Sequence, residues 1–214
     1  MTTYYLALTL LTDATFGRGD GIAGLVDVEV EHDPHGLPYL RGRTLKGLWR
    51  EECENLIAVH PHGADWKKHA DALFGIGGSG LHSTGLLHVG DACLPVAVRN
   101  AVIQAKLNPH AVLTSLTMIR RQTAIDDKTG VAQDHSLRSM RAILRTATFI
   151  SSITTTPDDL LTEQKAILVA GCYALRRVGT GRNRGRGEVR CRLHDATGAA
   201  LSADLLQTFV EKPV

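Results

Sequence analysis

The spacing of apolar residues changes several times along this chain, and each change marks an element. Residues 4–12 (YYLALTLLT) form a short continuous apolar run of the length of a buried strand. After the glycine-rich TFGRGDGIAG, Val26, Val28 and Val30 alternate strictly with Asp27, Glu29 and Glu31. That period of two predicts a half-buried strand over residues 25–31 with an acidic exposed face. HDPHG is a turn, and LPYLRG then leads into a helical period over residues 44–59. There Leu45, Leu48, Trp49, Cys53, Leu56 and Ile57 share one stripe, with Lys46, Arg50, Glu51 and Glu54 off it. Gly47 in the first turn weakens that helix by about 1 kcal/mol relative to Ala, which suggests a close approach to its backbone.

Residues 60–84 are irregular and rich in histidine and glycine, and read as an excursion from the core. GLLHVGDACLPVAV resumes as strand. From residue 99 the periodicity is weak, and DDKTG within TAIDDKTGVA supplies a turn by its own chemistry. A last helix is punctuated by Thr156 as cap, Pro157 at the first helical position, and Asp158 and Asp159 against the dipole. Its predicted stripe is Leu160, Leu161, Ile167, Leu168, Leu175 and Val178, with Arg176 and Arg177 in the final turn and Gly179 closing it. A strand follows, with Val189, Cys191 and Leu193 inward and Arg190 and Arg192 outward. The order predicts an α+β fold with a ferredoxin-like (RRM-like) βαββαβ core. One domain spans residues 1–214 and carries two insertions, at 60–84 and 99–150. In many RNA-binding modules the sheet face of this core takes single strands.

Composition narrows the function. The chain has 214 residues, 43% of them hydrophobic, enough for a sizeable core, and no apolar run predicts a membrane span. The N-terminus lacks the features of a secretory signal. Cys53, Cys93, Cys172 and Cys191 are far apart and read as buried, reduced thiols of a cytoplasmic protein. A formal charge of only +2 argues against a polybasic coat and for one basic stripe facing one partner. That stripe is LRRVGTGRNRGRGEVRCRL, where seven arginines (Arg176, Arg177, Arg182, Arg184, Arg186, Arg190, Arg192) accompany four glycines. Arginine's planar fork suits phosphate oxygens, and glycine lets a backbone approach a ligand.

Residues 179–187 are not a dinucleotide fingerprint, because they follow a helix and precede a strand, and they lack the ending of a P-loop. A solvated basic turn is the bland alternative; the arginine density continuing onto the strand favours a nucleic-acid backbone. Arg41, Arg43, Lys46 and Arg50 surround the start of the first helix, a basic first turn that opposes the dipole unless an anion is bound. Asp20, Asp27, Asp33, Asp126 and Asp127 are the acidic candidates beside flexible loops, and composition does not choose among them. Cys53, His60, His62, His69 and His82 show no recognised zinc spacing, and solvent-facing histidines are the simpler reading.

Four motifs in order carry a resemblance. GLVDVEVEHDPHGLPYLRGRTLKGLWRE, LFGIGGSGLHSTGLLHVGDACL, TAIDDKTGVAQDHSL and GTGRNRGRGEV together resemble the RAMP superfamily of CRISPR-associated proteins. The likeness is greatest to the backbone subunit of type III effector complexes. It departs at Arg43 and Thr44, where two serines are common, and in the arginine richness of the glycine loop. It implies a subunit that stacks with copies of itself or related subunits along a CRISPR RNA and meets a complementary target RNA.

By motif position, Arg41, Arg43, Lys46 and Arg50, with Arg182, Arg184 and Arg186, would contact the guide backbone. Met118, Arg120, Arg121 and Ile125 fall in or near a protruding thumb that wedges between bases. Asp27 falls where cleaving relatives carry an acid, and would hold a divalent ion, Mg2+, for cutting target RNA. Two rivals remain: a standalone, metal-independent endoribonuclease processing precursor CRISPR RNA, and a scaffold in which Asp27 only faces solvent.

Overall fold

The N-terminal apolar run is strand β1 (Thr2–Leu10), and Tyr4, Leu6, Leu8 and Leu10 bury one of its sides. In this computed structural model, which describes residues 2–76, 84–156, 159–201 and 203–211, fourteen helices and strands follow one another. After β1 come β2 (Tyr39–Leu40), α1 (Gly42–Val59), α2 (Gly63–Phe74), β3 (Leu87–Val89), β4 (Ala92–Cys93) and α3 (Val96–Gln104). Then α4 (Pro109–Leu116), β5 (Thr117–Gln122), β6 (Arg138–Ile143), β7 (Thr148–Thr155), α5 (Thr162–Ala174), β8 (Val189–His194) and α6 (Ala203–Glu211) complete it. The main sheet runs β2-β4-β7-β1-β8 with β3 also on β7, and every pairing in it is antiparallel. Taking β1, α1, β3, β7, α5 and β8 in turn gives the ferredoxin-like βαββαβ order, the last strand beside the first.

Helices α1 and α5 cover one face. The Trp49 indole N–H donates to the Leu168 carbonyl at 3.1 Å, and the Cys53 thiol to Ile167 at 3.6 Å. Burial raises the thiol pKa of Cys53 and Cys172 and takes Cys191 to about 12, so these free cysteines stay as thiols. The β8 alternation is as the sequence predicts, with Val189, Cys191 and Leu193 buried and Arg190 and Arg192 exposed.

Several sequence expectations are corrected. Residues 25–31 are not a regular strand: single bridges tie Val26 to Ile22, Val28 to Met140 and Val30 to Gly17. Their acidic face is exposed only in part: Asp27 is exposed, but Glu29 is fully buried beside Arg141. Within residues 60–84 lies the 12-residue helix α2, whose Trp66, Ala70, Leu73 and Phe74 are buried at helical spacing. The stretch 85–98 breaks after β4, and α3 begins just past Pro95. The last helix starts later than the Thr156 punctuation suggests. Thr155 is still in β7, and the Thr156 N–H donates to Leu86 at 3.1 Å, so the sheet holds this segment. Gln164 instead accepts from the Leu161 N–H at 3.0 Å to open α5. Leu161 is 58% exposed and off the stripe. Arg176 and Arg177 follow α5 in extended chain, with Arg177 bridged to Glu188. Pro157 and Asp158 lie outside the described residues, as does His82. Strand β7 and helix α6 were not anticipated; Phe209 of α6 packs on Trp66 with ring centroids 4.7 Å apart.

A separate hairpin, β5–β6, is joined to the rest through buried polar contacts. The Arg141 guanidinium donates to Glu29 Oε1 at 2.7 Å and to the Thr117 hydroxyl at 3.2 Å. Glu29 Oε1 also accepts from the Val30 N–H at 2.8 Å, and the Thr15 hydroxyl donates to the Arg141 carbonyl at 2.8 Å. Side-chain exposure of the pair is 5% and 0%, so removing one partner strands a buried charge. Replacing Arg141 with Ala is expected to lower the unfolding free energy by about 3–5 kcal/mol. The double change Glu29→Met with Arg141→Met is expected to recover most of that loss. Chemical denaturation of the three proteins checks both expectations; equal stability of R141A and wild type would remove the pair from the account.

Candidate nucleic-acid interface

The chain between α5 and β8 is the arginine-glycine loop, and its base is pinned by backbone bonds. Val178 N–H donates to Gly187 at 2.8 Å, Gly187 N–H to Asp13 at 3.0 Å and Thr180 N–H to Thr15 at 2.8 Å. Gly181 and Gly185, with φ of 77° and 74°, bracket a single 3-10 turn, Arg182–Arg184. Left-handed residues at both ends favour glycine and turn the backbone sharply twice. A cavity of about 510 Å³ opens beside this loop, lined by Arg138, Arg182, Arg184 and Arg186 with Asp27 as its single acid. A smaller one of about 240 Å³ shares Gly179, Thr180 and Arg182 and reaches Arg41, Thr44 and Leu48 at the start of α1. The two cavities therefore form one trough from α1 across the glycine loop to Asp27.

The structure divides the first basic cluster. Arg41 lies at the trough, paired with Glu31 at 2.6 Å, and Arg182 reaches Glu51 of α1 at 3.0 Å. Lys46 turns to the opposite flank of α1, where its Nζ donates to the Leu87 carbonyl at 2.8 Å. Burial, with a smaller contribution from Arg50, lowers its pKa. Arg50 pairs with Glu54 at 2.7 Å on that flank, and Arg43 is exposed. The helix start already holds an anion: Asp91 Oδ1 accepts the Gly42 N–H at 2.7 Å. A Cβ at Gly42 would meet the Val89 carbonyl oxygen at 2.2 Å, so the close approach is here. Gly47, which the sequence singled out, has nothing within 4 Å.

Asp27 alone among the acidic candidates lines the arginine cavity. Its Oδ2 accepts the Ser139 N–H at 2.6 Å and the Ser139 hydroxyl at 3.1 Å, while its own N–H donates to the Ser139 carbonyl at 2.9 Å. The Ser139 backbone bond, then its hydroxyl, and more weakly Arg138, hold the Asp27 carboxyl below the usual range. Asp20 is paired with Arg18. Asp33 closes a turn through the His35 and Leu37 N–H groups at 2.9 and 3.0 Å, and Asp126 takes up those of Lys128 and Thr129, each at 2.9 Å. Asp127 is exposed.

On the hairpin, Met118, Arg120 and Gln122 share one face with Met140 and Arg138, opposite Ile119, Arg121, Ser139 and Arg141. Arg120 is held by Asp13, so Arg120 and Arg121 do not act on the same side. Burial raises the Asp13 pKa, but bonds from Arg120 and Arg145 outweigh it and the net shift is downward. Met118 lies beside Arg120 and Arg145 in a third cavity. Ile125, 66% exposed, lies between β5 and β6, bridged to Ala132, and Val131 and Leu137 of the same connection are exposed as well. Arg138, Gln122 and Ser139 went unnoticed in the sequence. RSMRAI carries no apolar period that would have marked its strand or its outward side.

No group of three or more His, Cys, Asp or Glu that could hold a metal comes together among the described residues. Asp27 offers one ionised carboxylate, which suits a single contact to a hydrated Mg2+ whose other ligands are phosphates and water. His60 is engaged elsewhere, its Nε2 against the Phe209 carbonyl at 2.9 Å.

A ferredoxin-like core with an arginine-lined glycine loop between its last helix and last strand defines the class. Residues 7–190 match the family model of the RAMP superfamily, and the chain belongs to that superfamily. It is similar in fold to a chain of the cryo-EM structure of the Type III-B Cmr-beta bound to cognate target RNA. That likeness has 14% identity and a TM-score of 0.64, and covers 89% of this chain and 96% of the other. A chain of the apo state of Type III-B Cmr-beta is similar at 14% identity and TM-score 0.65, with the same coverage. No curated protein matches the chain.

The geometry predicts that Ser139→Ala raises the Asp27 pKa towards its ordinary value while the backbone bond retains part of the depression. Because the folded pKa is depressed, the Asp27–Ser139 contact stabilises above the unfolded pKa. That contribution is lost as pH falls through the folded value. Carboxyl-carbon NMR titration of wild type and S139A reads the shift directly; coincident curves would show that the hydroxyl is idle.

Proposed function

We propose that this chain is an RNA-binding backbone subunit of a type III CRISPR interference complex, working in the cytoplasm. It holds a CRISPR RNA in the trough and admits a complementary target RNA, with other copies of itself or related subunits alongside. The observation that carries the reading is the trough itself, four arginines from the glycine loop and β6 around one ionised carboxylate. Membership of the RAMP superfamily and the fold likeness to Type III-B complex chains support the same reading.

Arg184, exposed and without a side-chain partner among the described residues, and Arg186 grip phosphate oxygens; Arg41 and Arg182 do so after exchanging Glu31 and Glu51 for the guide. Arg43, Lys46 and Arg50 take a neighbouring stretch of backbone on the other flank of α1. The β5–β6 hairpin is the thumb. Its exposed Ile125 wedges between bases, with Met118, Arg120 and Arg121 along its length. A nucleotide displaced there presents its 2′-hydroxyl to the adjacent phosphorus. Attack by that oxygen, its proton passing to water, forms the 2′-O–P bond and breaks the bond to the 5′-oxygen, which leaves as a 5′-hydroxyl after taking a proton from water, with a 2′,3′-cyclic phosphate on the other fragment. Asp27 would hold Mg2+, which would supply stabilisation of the negative charge that develops in the reaction. Ser139 keeps Asp27 ionised and aimed, and Arg186 steadies the phosphate.

Two measurements test the reading. Material purified under native conditions is expected to carry small RNA whose sequences share CRISPR repeats, and Arg184→Ala with Arg186→Ala to weaken guide binding. The log–log salt slope should fall by about 1.4, at about 0.7 per phosphate contact. In the assembled complex, Asp27→Ala should keep RNA and subunits bound yet abolish cutting at the sites this chain serves. Repeat-RNA cleavage by the lone chain in chelator would overturn the proposal in favour of a processing endoribonuclease.

A further inference from the structure

Besides the trough, the main sheet has a second surface, on the side away from α1 and α5. Helices α1 and α5 sit on the side of Leu6, Leu8, Phe149 and Cys191, all buried. On the other side the register sets Tyr5 between His194 and Ser152, Ala7 between Arg192 and Ile150, and Thr9 between Arg190 and Thr148. Tyr5 is 40% exposed and Ile150 38%, and both arginines face solvent. None of the outward positions of β1, β7 and β8 is an Asp or Glu. Across β1, β7 and β8 the face thus carries one exposed aromatic ring, Tyr5, and a column of positive charge on its edge strand, with Glu188 beyond Arg190 and Asp33 near Cys93 of β4 as acids at its borders.

We infer that this open face is a second binding platform for single-stranded RNA, separate from the trough. A base stacks on the Tyr5 ring, whose neighbour His194 is steadied by the contact of its Nδ1 with the Gly198 carbonyl at 3.1 Å. Arg190 and Arg192, about 7 Å apart at two strand residues, hold successive phosphates of an extended chain. A flat sheet favours splayed, unpaired bases, because a duplex hides their faces and is recognised by shape. The β8 backbone edge is less available: Leu201 donates to Leu193 and Val189 to Arg176, both at 2.9 Å. Ligands are therefore directed to the face rather than to strand addition. Two cations without a carboxylate among them suit an anionic strand better than a mixed-charge protein surface.

The full chain carrying Arg184→Ala and Arg186→Ala isolates this site from the trough. The probe is a fluorescein-labelled oligouridylate of about 12 nucleotides, within the span of single-strand sites. Tyr5→Ala added to that background is expected to weaken binding roughly 5-fold or more, and Tyr5→Phe to keep it. Arg190→Ala with Arg192→Ala should lower the salt slope by about 1.4. Thermal melting confirms that these surface variants fold. Equal affinity of the Tyr5→Ala and parent proteins overturns the inference. So does a face that a co-purified protein subunit shields from solvent labelling while oligouridylate leaves it open. Failure of the trough reading looks different: Arg184 and Arg186 changes would then be silent while Tyr5→Ala still weakened binding.

Discussion

The buried pair of Glu29 and Arg141 sets the geometry on which the candidate site depends. It lies where the residue 25–31 segment meets β6, and it fixes their register, because either charge buried without the other would be strongly destabilising. Two residues upstream on each side are Asp27 and Ser139, which the same register brings into contact. A slip by one residue would strand both buried charges and turn Asp27 away from the arginines. The pair also fastens the hairpin, since Arg141 is on β6 and its second bond reaches Thr117 at the start of β5. The hairpin and the acidic residue are thereby placed by a single contact.

The trough is assembled from parts distant in sequence that compensate one another before any ligand arrives. Arg41 rests against Glu31 and Arg182 against Glu51, whereas Arg184 has no such partner among the described residues. An incoming phosphate competes with two ion pairs: Arg182–Glu51 is half-exposed and worth little in water, whereas Glu31 is largely buried, so freeing Arg41 costs more. The α1 N-terminus takes no part in this exchange. Asp91 occupies it, and the main-chain contact there ties α1 to the β3–β4 turn.

What the sequence disclosed follows the physics of each element. The ferredoxin-like order was legible because β1, α1 and β8 bury one face with a clean period, while α5 is apolar enough to be buried nearly all round. The residue 25–31 segment misled because its alternation obeys the strand rule while one of its acids, Glu29, is buried against a cation 112 residues away. Period-based reading has no access to a partner that far off. Strand β7 was missed since Ser151 and Thr155 occupy inward positions that apolar residues usually fill. Lys46 was grouped with Arg41 by proximity in sequence, yet five residues along a helix turn it to another flank. Composition left Asp27 one of five acids; motif position singled it out, and the fold places four arginines around the cavity it lines.

That placement poses an electrostatic problem whose solution explains Ser139. A carboxylate facing Arg138, Arg182, Arg184 and Arg186 is drawn towards whichever guanidinium comes nearest, and a closed ion pair would withdraw both from RNA. Ser139 prevents this by supplying a backbone N–H and a hydroxyl to one carboxylate oxygen, satisfying half of the charge in a fixed orientation. The other oxygen has no protein partner among the described residues, which leaves it for a ligand. Proximity of opposite charges without collapse is thus a property of the β6 backbone, and the backbone is held there by Arg141.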